Sequence, residues 1–220
     1  MTENAAPQPR ARRSRLGPAL PAAFYDRDTE HVARELLGAV LVCESEDGVA
    51  SGRIVETEAY LGAHDPACHA VAGRTDRTWW LFGPPGVAYI YFIYGAHWCF
   101  NAVTREEGHG SAVLVRALEP LEGVELMRRR RPRARREVDL TNGPGKLCAA
   151  LGITGALDGV PLQRPPLSIH RGEPVPDDLV RVSPRIGITQ AAAWPLRWHV
   201  ADSPYVSPAR PAAPRHRRRR

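Results

Sequence analysis

The sequence predicts one mixed α/β domain of the α+β kind, dominated by antiparallel strands. Three observations carry that expectation. Short apolar runs rich in β-branched and aromatic residues recur along the chain, tight-turn signals join neighbouring runs, and the helical stretches are short and opened by capping residues or proline. At 220 residues the chain is long enough for one well-packed core, and its 43% apolar content is ordinary for a soluble globular protein.

Asp28 or Thr29 can cap a short helix over His31–Leu37, which Gly38 closes. The apolar run Ala39–Cys43 predicts a strand. Asp47-Gly48 predicts a hairpin, and Val49–Leu61 a longer returning strand. The stretch from Gly62 to about Pro85 is rich in Gly, Pro, His and Asp and is expected to be loop. Val87–Tyr94 then reads as a strand, Gly95 permits a tight turn, and Trp98–Thr104 returns along the partner. Ala112–Leu118 is a further apolar strand. Pro120 suits the first turn of a helix running to about Arg130, with Glu122 and Glu125 early and arginines late, as the helix dipole favours. Pro144–Leu151 predicts a second such helix stopped by Gly152, and shorter strands are expected at Leu167–His170, Leu179–Val182 and Leu196–Val200. No repeat or internal linker divides the body.

Composition excludes several classes. No apolar run approaches the roughly 20 residues that cross a bilayer, and Met1–Leu16 lacks the apolar centre of a secretory signal, so a cytoplasmic protein is expected. Cys43, Cys68, Cys99 and Cys148 lie 25, 31 and 49 residues apart with no C-x-x-C pair, which predicts buried thiols rather than a disulfide scaffold or a metal site. The zinc deaminase pattern, H-x-E with P-C-x-x-C, is absent. Of the formal net charge of +6, residues 1–16 contribute +3 and residues 207–220 contribute +6, leaving −3 on a body that still contains seven arginines between Arg128 and Arg136. Such blocks either solubilise or act as salt-sensitive arms for a polyanion; they supply no chemistry.

The segment Arg53-Ile54-Val55-Glu56-Thr57-Glu58-Ala59-Tyr60 is the most informative. Alternation along a strand puts Glu56, Glu58 and Tyr60 on one face. That face is either solvated or lines a cleft, where a carboxylate beside an aromatic ring suits a base or nucleophile next to a stacking surface. Glycosidic cleavage needs such a group, because a carboxylate stabilises the oxocarbenium-like sugar and activates water. In Tyr89-Ile90-Tyr91-Phe92-Ile93-Tyr94-Gly95, core packing explains Tyr89 and Phe92 but not Tyr94, a large ring at a turn. A wedge into a base stack or a partner-protein contact are the two readings of Tyr94. Asn101 and Arg116 are polar residues within apolar strands. For Arg116 an internal salt bridge competes with a phosphate contact or a water shared with a catalytic carboxylate. His69 is either structural or a base contact. Gly143-Pro144-Gly145-Lys146 opens a helix and offers backbone N–H groups to a phosphate, without P-loop spacing.

Several stretches together resemble the alkyladenine (3-methyladenine, methylpurine) DNA glycosylase family. They are 52–62 with Glu-Thr-Glu-Ala-Tyr at its centre, Phe82-Gly83-Pro84-Pro85-Gly86, Tyr91-Phe92-Ile93-Tyr94-Gly95, Val115-Arg116-Ala117-Leu118-Glu119-Pro120, Asn142-Gly143-Pro144-Gly145-Lys146-Leu147 and Pro184-Arg185-Ile186-Gly187-Ile188, in family order over Leu20–Val206. The resemblance implies a single compact domain over residues 17–206, with a mostly antiparallel curved sheet, flanking helices and a protruding hairpin that enters the DNA minor groove. It leaves the basic tails at 1–16 and 207–220 unmatched, and their blocks of charge predict disorder there. It selects Glu58 over Glu56 as general base, with Arg116 helping to hold the attacking water. Tyr60, His69 and Tyr91 would sandwich a flipped purine, Asn101 would stand near its edge, and Tyr94 would fill the vacated stack. Gly143, Gly145 and Lys146 would meet the DNA backbone. Ala96 departs from the larger residue usual beside the wedge, and Asp76-Arg77-Thr78-Trp79-Trp80 departs from the usual pattern.

The implied reaction is hydrolysis of the N-glycosidic bond of alkylated purines in double-stranded DNA, leaving an abasic site, with no cofactor and no metal. The enzyme is expected to act as a monomer at the nucleoid. Lys146 is the sole lysine, so no Schiff-base lyase step is expected. The competing readings are a hydrolase of free nucleosides and a non-enzymatic minor-groove DNA-binding protein.

Overall fold

One long strand organises the chain. In the computed structural model, which describes residues 16–208, α1 (Ala22–Tyr25) and α2 (Thr29–Glu35) precede β1 (Val40–Ser45), which turns at Asp47-Gly48 into the 13-residue β2 (Gly48–Tyr60). The hairpin β3 (Ala88–Ile93) and β4 (His97–Thr104) follows, then β5 (Ser111–Glu122), α3 (Val124–Arg130) and α4 (Pro144–Leu151). The short strands β6 (Gln163–Arg164), β7 (Leu167–His170), β8 (Val180–Ser183) and β9 (Arg197–Val200) complete the order. The main path of the sheet is β3-β4-β5-β2-β1-β7-β6, all antiparallel, and it curls into a half-barrel within a single α+β domain. Along β2, one edge is taken by β5, while the other is shared by β1 over its first half and β9 over Glu56–Glu58.

The two faces of the sheet have different fates. Ile90, Phe100, Val113, Val115 and Ala59 pack with the apolar sides of α2, α3 and α4 in the main core, where Leu147, Cys148 and Leu151 are fully buried. Alternation puts Tyr89, Tyr91, Cys99, Asn101, Leu114 and Arg116 on the opposite face. There a smaller cluster of Cys68, Ala70, Leu81 and Tyr89 covers only part of the sheet. All four cysteines are buried free thiols, as their spacing predicts.

Two irregularities lie side by side on β2 and β5. Ile54 pairs with Leu118 and Glu56 with Ala117, so Val55 has no opposite number; Thr57 then pairs with Val115, so Arg116 has none. Each extra residue inverts the alternation of its strand. Ile54 and Leu118 therefore face the helices, and beyond the bulges so do Ala59 and Val115, leaving Glu56, Glu58 and Arg116 together on the other face.

Asp28 caps α2 by accepting from the Glu30 and His31 N–H groups, and Gly152 ends α4. The strands fall within two residues of their expected positions at their N-terminal ends. Pro120 is the main exception. It does not open a helix but lies in β5 opposite Gly52, because the apolar run continues through Leu121 and a local register shift tolerates a residue without an N–H. The helix starts later, after Gly123, whose φ of 75° turns the chain where a Cβ would lie 2.3 Å from the Val49 carbonyl oxygen. The expected loop at 62–85 contains two 3₁₀ helices, His69–Ala72 and Asp76–Phe82, the second held by reciprocal bonds between Thr75 and Thr78. α1 and β6 leave no signal in the sequence; with 4 and 2 residues they carry no period. Ser207 belongs to the body rather than the tail, since it is buried against Glu56. The basic tails, residues 1–15 and 209–220, lie outside the described residues. Of the internal basic patch, Arg128, Arg130, Arg131 and Arg136 are engaged within the chain by Glu125, Glu137, Asp47, Asp139 and nearby carbonyls.

Candidate active site

A cavity of about 590 Å³ opens on the face of the sheet away from the helices. Its walls come from separate elements: Tyr60 from β2, Tyr89 and Tyr91 from β3, Cys99 and Asn101 from β4, Leu114 and Arg116 from β5, His69 from the first 3₁₀ helix, and Ile186 from the loop before β9. Gly143, Gly145 and Lys146 at the start of α4 and Tyr94 at the hairpin tip lie at its margin. Every residue expected at the site thus borders this hollow, except Glu58.

Glu58 sits directly behind the wall. It is fully buried, and its three partners all line the cavity. Oε1 accepts the Ile186 N–H at 2.7 Å and pairs with Arg116 Nη1 at 3.1 Å, and Oε2 accepts the Tyr60 hydroxyl at 2.9 Å. A carboxylate has about four acceptor directions, so Oε2 retains one beside the Tyr60 hydroxyl. Burial pushes the carboxyl pKa up; Arg116, the Ile186 N–H and the Tyr60 hydroxyl pull against it, and Glu56 adds to it.

Glu56 has a different environment on the same face. Its carboxylate accepts from Arg116 Nε at 3.0 Å, Arg197 Nη1 at 2.7 Å, and the Ser207 N–H and hydroxyl at 2.7 and 2.8 Å. Three of these donors converge on Oε1 and the Ser207 N–H reaches Oε2, and of the residues that hold Glu56 only Arg116 lines the cavity, whereas all three partners of Glu58 do. Arg116 is therefore the internal ion-pair partner of both glutamates, and the bulge that frees it from a cross-strand partner aims it between them.

The rings form a wall with fixed angles. His69 meets Tyr91 edge-on with centroids 4.6 Å apart, its Nδ1 lies 2.8 Å from the Tyr89 hydroxyl, and Tyr89 and Tyr91 are 5.4 Å apart. Burial, then Arg77, lowers the His69 pKa, which disfavours the charged imidazolium. Asn101 donates from Nδ2 to the Tyr89 carbonyl at 3.0 Å. Lys146 Nζ donates to Asn142 Oδ1 at 2.6 Å.

Tyr94 contrasts with these. It is 81% exposed, and both Tyr94 and Gly95 have positive φ, 55° and 63°, with Ala96 N–H bonding back to the Ile93 carbonyl. That is the turn geometry that suits the twist of a tight hairpin, and it costs a non-glycine residue strain. The ring contributes nothing to the core.

The residues that sequence reasoning missed are Asp65, Arg185, Arg197 and Ser207. All four are buried polar groups, and they pair across 120 to 151 residues of sequence. Arg197, between Leu196 and Trp198, carries the same signal that singled out Arg116, an arginine inside an apolar strand. Among the described residues no group of His, Cys, Asp and Glu is arranged to hold a metal ion, and no helix is long and apolar enough to cross a membrane.

Comparison with known proteins gives a consistent result. The family model described as Methylpurine-DNA glycosylase matches residues 23–204. A Myxococcus xanthus protein is 51% identical over 195 residues, covering 87% of this chain and 95% of its own length. A Chlorobaculum parvum protein is 47% identical, covering 91% and 96%, and one from Methanoculleus marisnigri is 50% identical, covering 86% and 98%. All three carry the name "Putative 3-methyladenine DNA glycosylase".

Proposed function

We propose, because the chain belongs to the methylpurine-DNA glycosylase family, that it releases alkylated purines such as 3-methyladenine and 7-methylguanine from double-stranded DNA. In this reading the purine leaves the stack and lodges between Tyr60, Tyr91 and His69, while Tyr94 takes its place in the duplex. Alkylation at N3 or N7 makes the base cationic, which favours stacking on electron-rich tyrosine rings. It also makes the base a good leaving group. A water held at Glu58 Oε2 attacks the anomeric carbon, its proton passes to the carboxylate, and the bonding pair leaves with the base, which departs neutral. Arg116 favours the ionised form of Glu58 against its burial and helps to fix the water. Burial disfavours the charged form of His69 and its Nδ1 is tied to Tyr89, which makes it a poor source of a proton for the leaving group, so cationic purines suit this pocket best.

The observation that carries the reading is Glu58, a buried carboxylate one hydrogen bond behind a ring-walled cavity beside an exposed tyrosine tip. Its test is incubation with duplexes carrying one defined lesion, then alkaline cleavage at abasic sites. Cleavage only with the lesion-bearing duplex is expected; equal release from the free nucleoside would overturn it. Tyr94→Ala should leave thermal stability within about 0.5 kcal/mol, as at exposed sites generally, yet slow release from duplex by roughly tenfold or more if stack filling is worth about 1.4 kcal/mol. Equal rates for both proteins on duplex would exclude the wedge. We further propose a monofunctional enzyme acting as a monomer. Lys146 is the single lysine and bonds to Asn142, so borohydride should trap no protein–DNA adduct; a trapped adduct would show a lyase step.

A further inference from the structure

Behind the ring wall lies a second buried ion pair that the proposed chemistry does not use. Arg185 Nη1 and Nη2 meet the Asp65 carboxylate at 2.5 and 2.8 Å, and both side chains are fully buried. Pairs of this kind contribute little net stability compared with apolar packing of equal volume, so its placement matters more than its strength. Each partner reaches towards the site. Arg185 also donates to the Ala59 carbonyl at 3.0 Å, and its guanidinium carbon lies 4.7 Å from the centre of the Tyr60 ring. The next residue, Ile186, supplies the N–H that Glu58 Oε1 accepts. Asp65 accepts from the Leu61 and Ala67 N–H groups at 3.2 and 3.0 Å, shaping the backbone that leads to Cys68 and His69.

We infer that the Asp65–Arg185 pair is a positioning device that fixes the Glu58 carboxylate and the Tyr60 ring relative to each other. The bidentate fork sets the direction of the residue 185–186 backbone, and hence of the N–H on Glu58. The guanidinium stacked on Tyr60 keeps that ring from rotating away from its hydrogen bond to Oε2. The inference rests on the reading of Glu58 as general base. Besides Arg185, the groups facing Glu58 are Glu56 and Tyr60 from β2, Tyr91 from β3, Cys99 from β4, Arg116 from β5 and Arg197 from β9. None of these is altered by the Arg185 and Asp65 variants below.

The test is single-turnover base release as a function of pH for wild type, Arg185→Lys and Asp65→Asn, with Glu58→Gln alongside. Lysine keeps the charge but loses the fork and the stacking; asparagine keeps the shape of Asp65 and carries the test if the lysine variant does not fold. Release should slow by roughly 10- to 100-fold through misplacement of the reacting groups, with duplex affinity unchanged. The acid limb of the profile should move to higher pH, because Glu58 loses an aligned donor to its charged form. A merely structural pair would lower the melting temperature and leave the limb where wild type has it, which overturns the inference. If Glu58→Gln itself releases base at the wild-type rate, the general-base reading fails instead.

Discussion

Replacing Glu58 with glutamine should slow base release by about 10²–10⁴-fold while leaving duplex binding intact. The substituted amide would be nearly isosteric and could still meet Ile186, Tyr60 and Arg116, but it cannot take a proton from water. General-base removal typically costs on the order of 10²–10⁴-fold in rate. The loss should appear in single-turnover release and not in affinity, because Glu58 lies behind the cavity wall rather than on it. Stability should move the other way. Burial raises the folded-state pKa of Glu58 above its unfolded value. Its contribution to stability is therefore full below the ordinary glutamate pKa and is lost as pH rises through the raised one. Glutamine removes that cost, so at neutral pH the melting temperature should hold or rise. A variant that loses release because it has unfolded would contradict this assignment.

Glu56→Ala should do the reverse. Glu56 holds two buried guanidiniums, Arg116 and Arg197, and both donors of Ser207. Without it Arg116 keeps Glu58, but Arg197 keeps only the Ser183 hydroxyl at 2.9 Å. Leaving a buried charge without its partner costs about 3–5 kcal/mol, which for a domain of this size is a fall in melting temperature of roughly 6–20 °C. Base release measured well below that transition should persist. Thermal melts of the two variants side by side separate two carboxylates that lie two residues apart on one face. A Glu56→Ala protein that melts like wild type would remove Glu56 from its proposed structural role.

Much of this arrangement was legible in local sequence. Asp47-Gly48 and Gly95 marked two hairpins because positive φ at a turn has few chemical solutions. Period-two alternation put Glu56, Glu58 and Tyr60 together, and an arginine in an apolar run marked Arg116. The strand argument could not choose between the glutamates. What distinguishes the two in the structure is that Arg197 and Ser207, 141 and 151 residues away, hold Glu56; Arg197 is marked as an arginine in an apolar strand, but nothing local says that Glu56 is its partner. The bulges at Val55 and Arg116 were also invisible, since both residues are ordinary strand formers in neighbouring registers. Pro120 misled because a proline that starts a helix and one that sits at a strand irregularity look alike until the opposite strand is known. The Asp65–Arg185 pair escaped because its two loops carry no period at all.

The most direct measurement is the pH dependence of single-turnover 7-methylguanine release from duplex DNA by wild type and Glu58→Gln. A buried general base predicts that wild-type release falls on the acid side through one ionisation lying above that of a free glutamate. The residual release by the variant should show no such limb. A flat wild-type profile, or the same acid limb surviving in Glu58→Gln, would contradict water activation by Glu58.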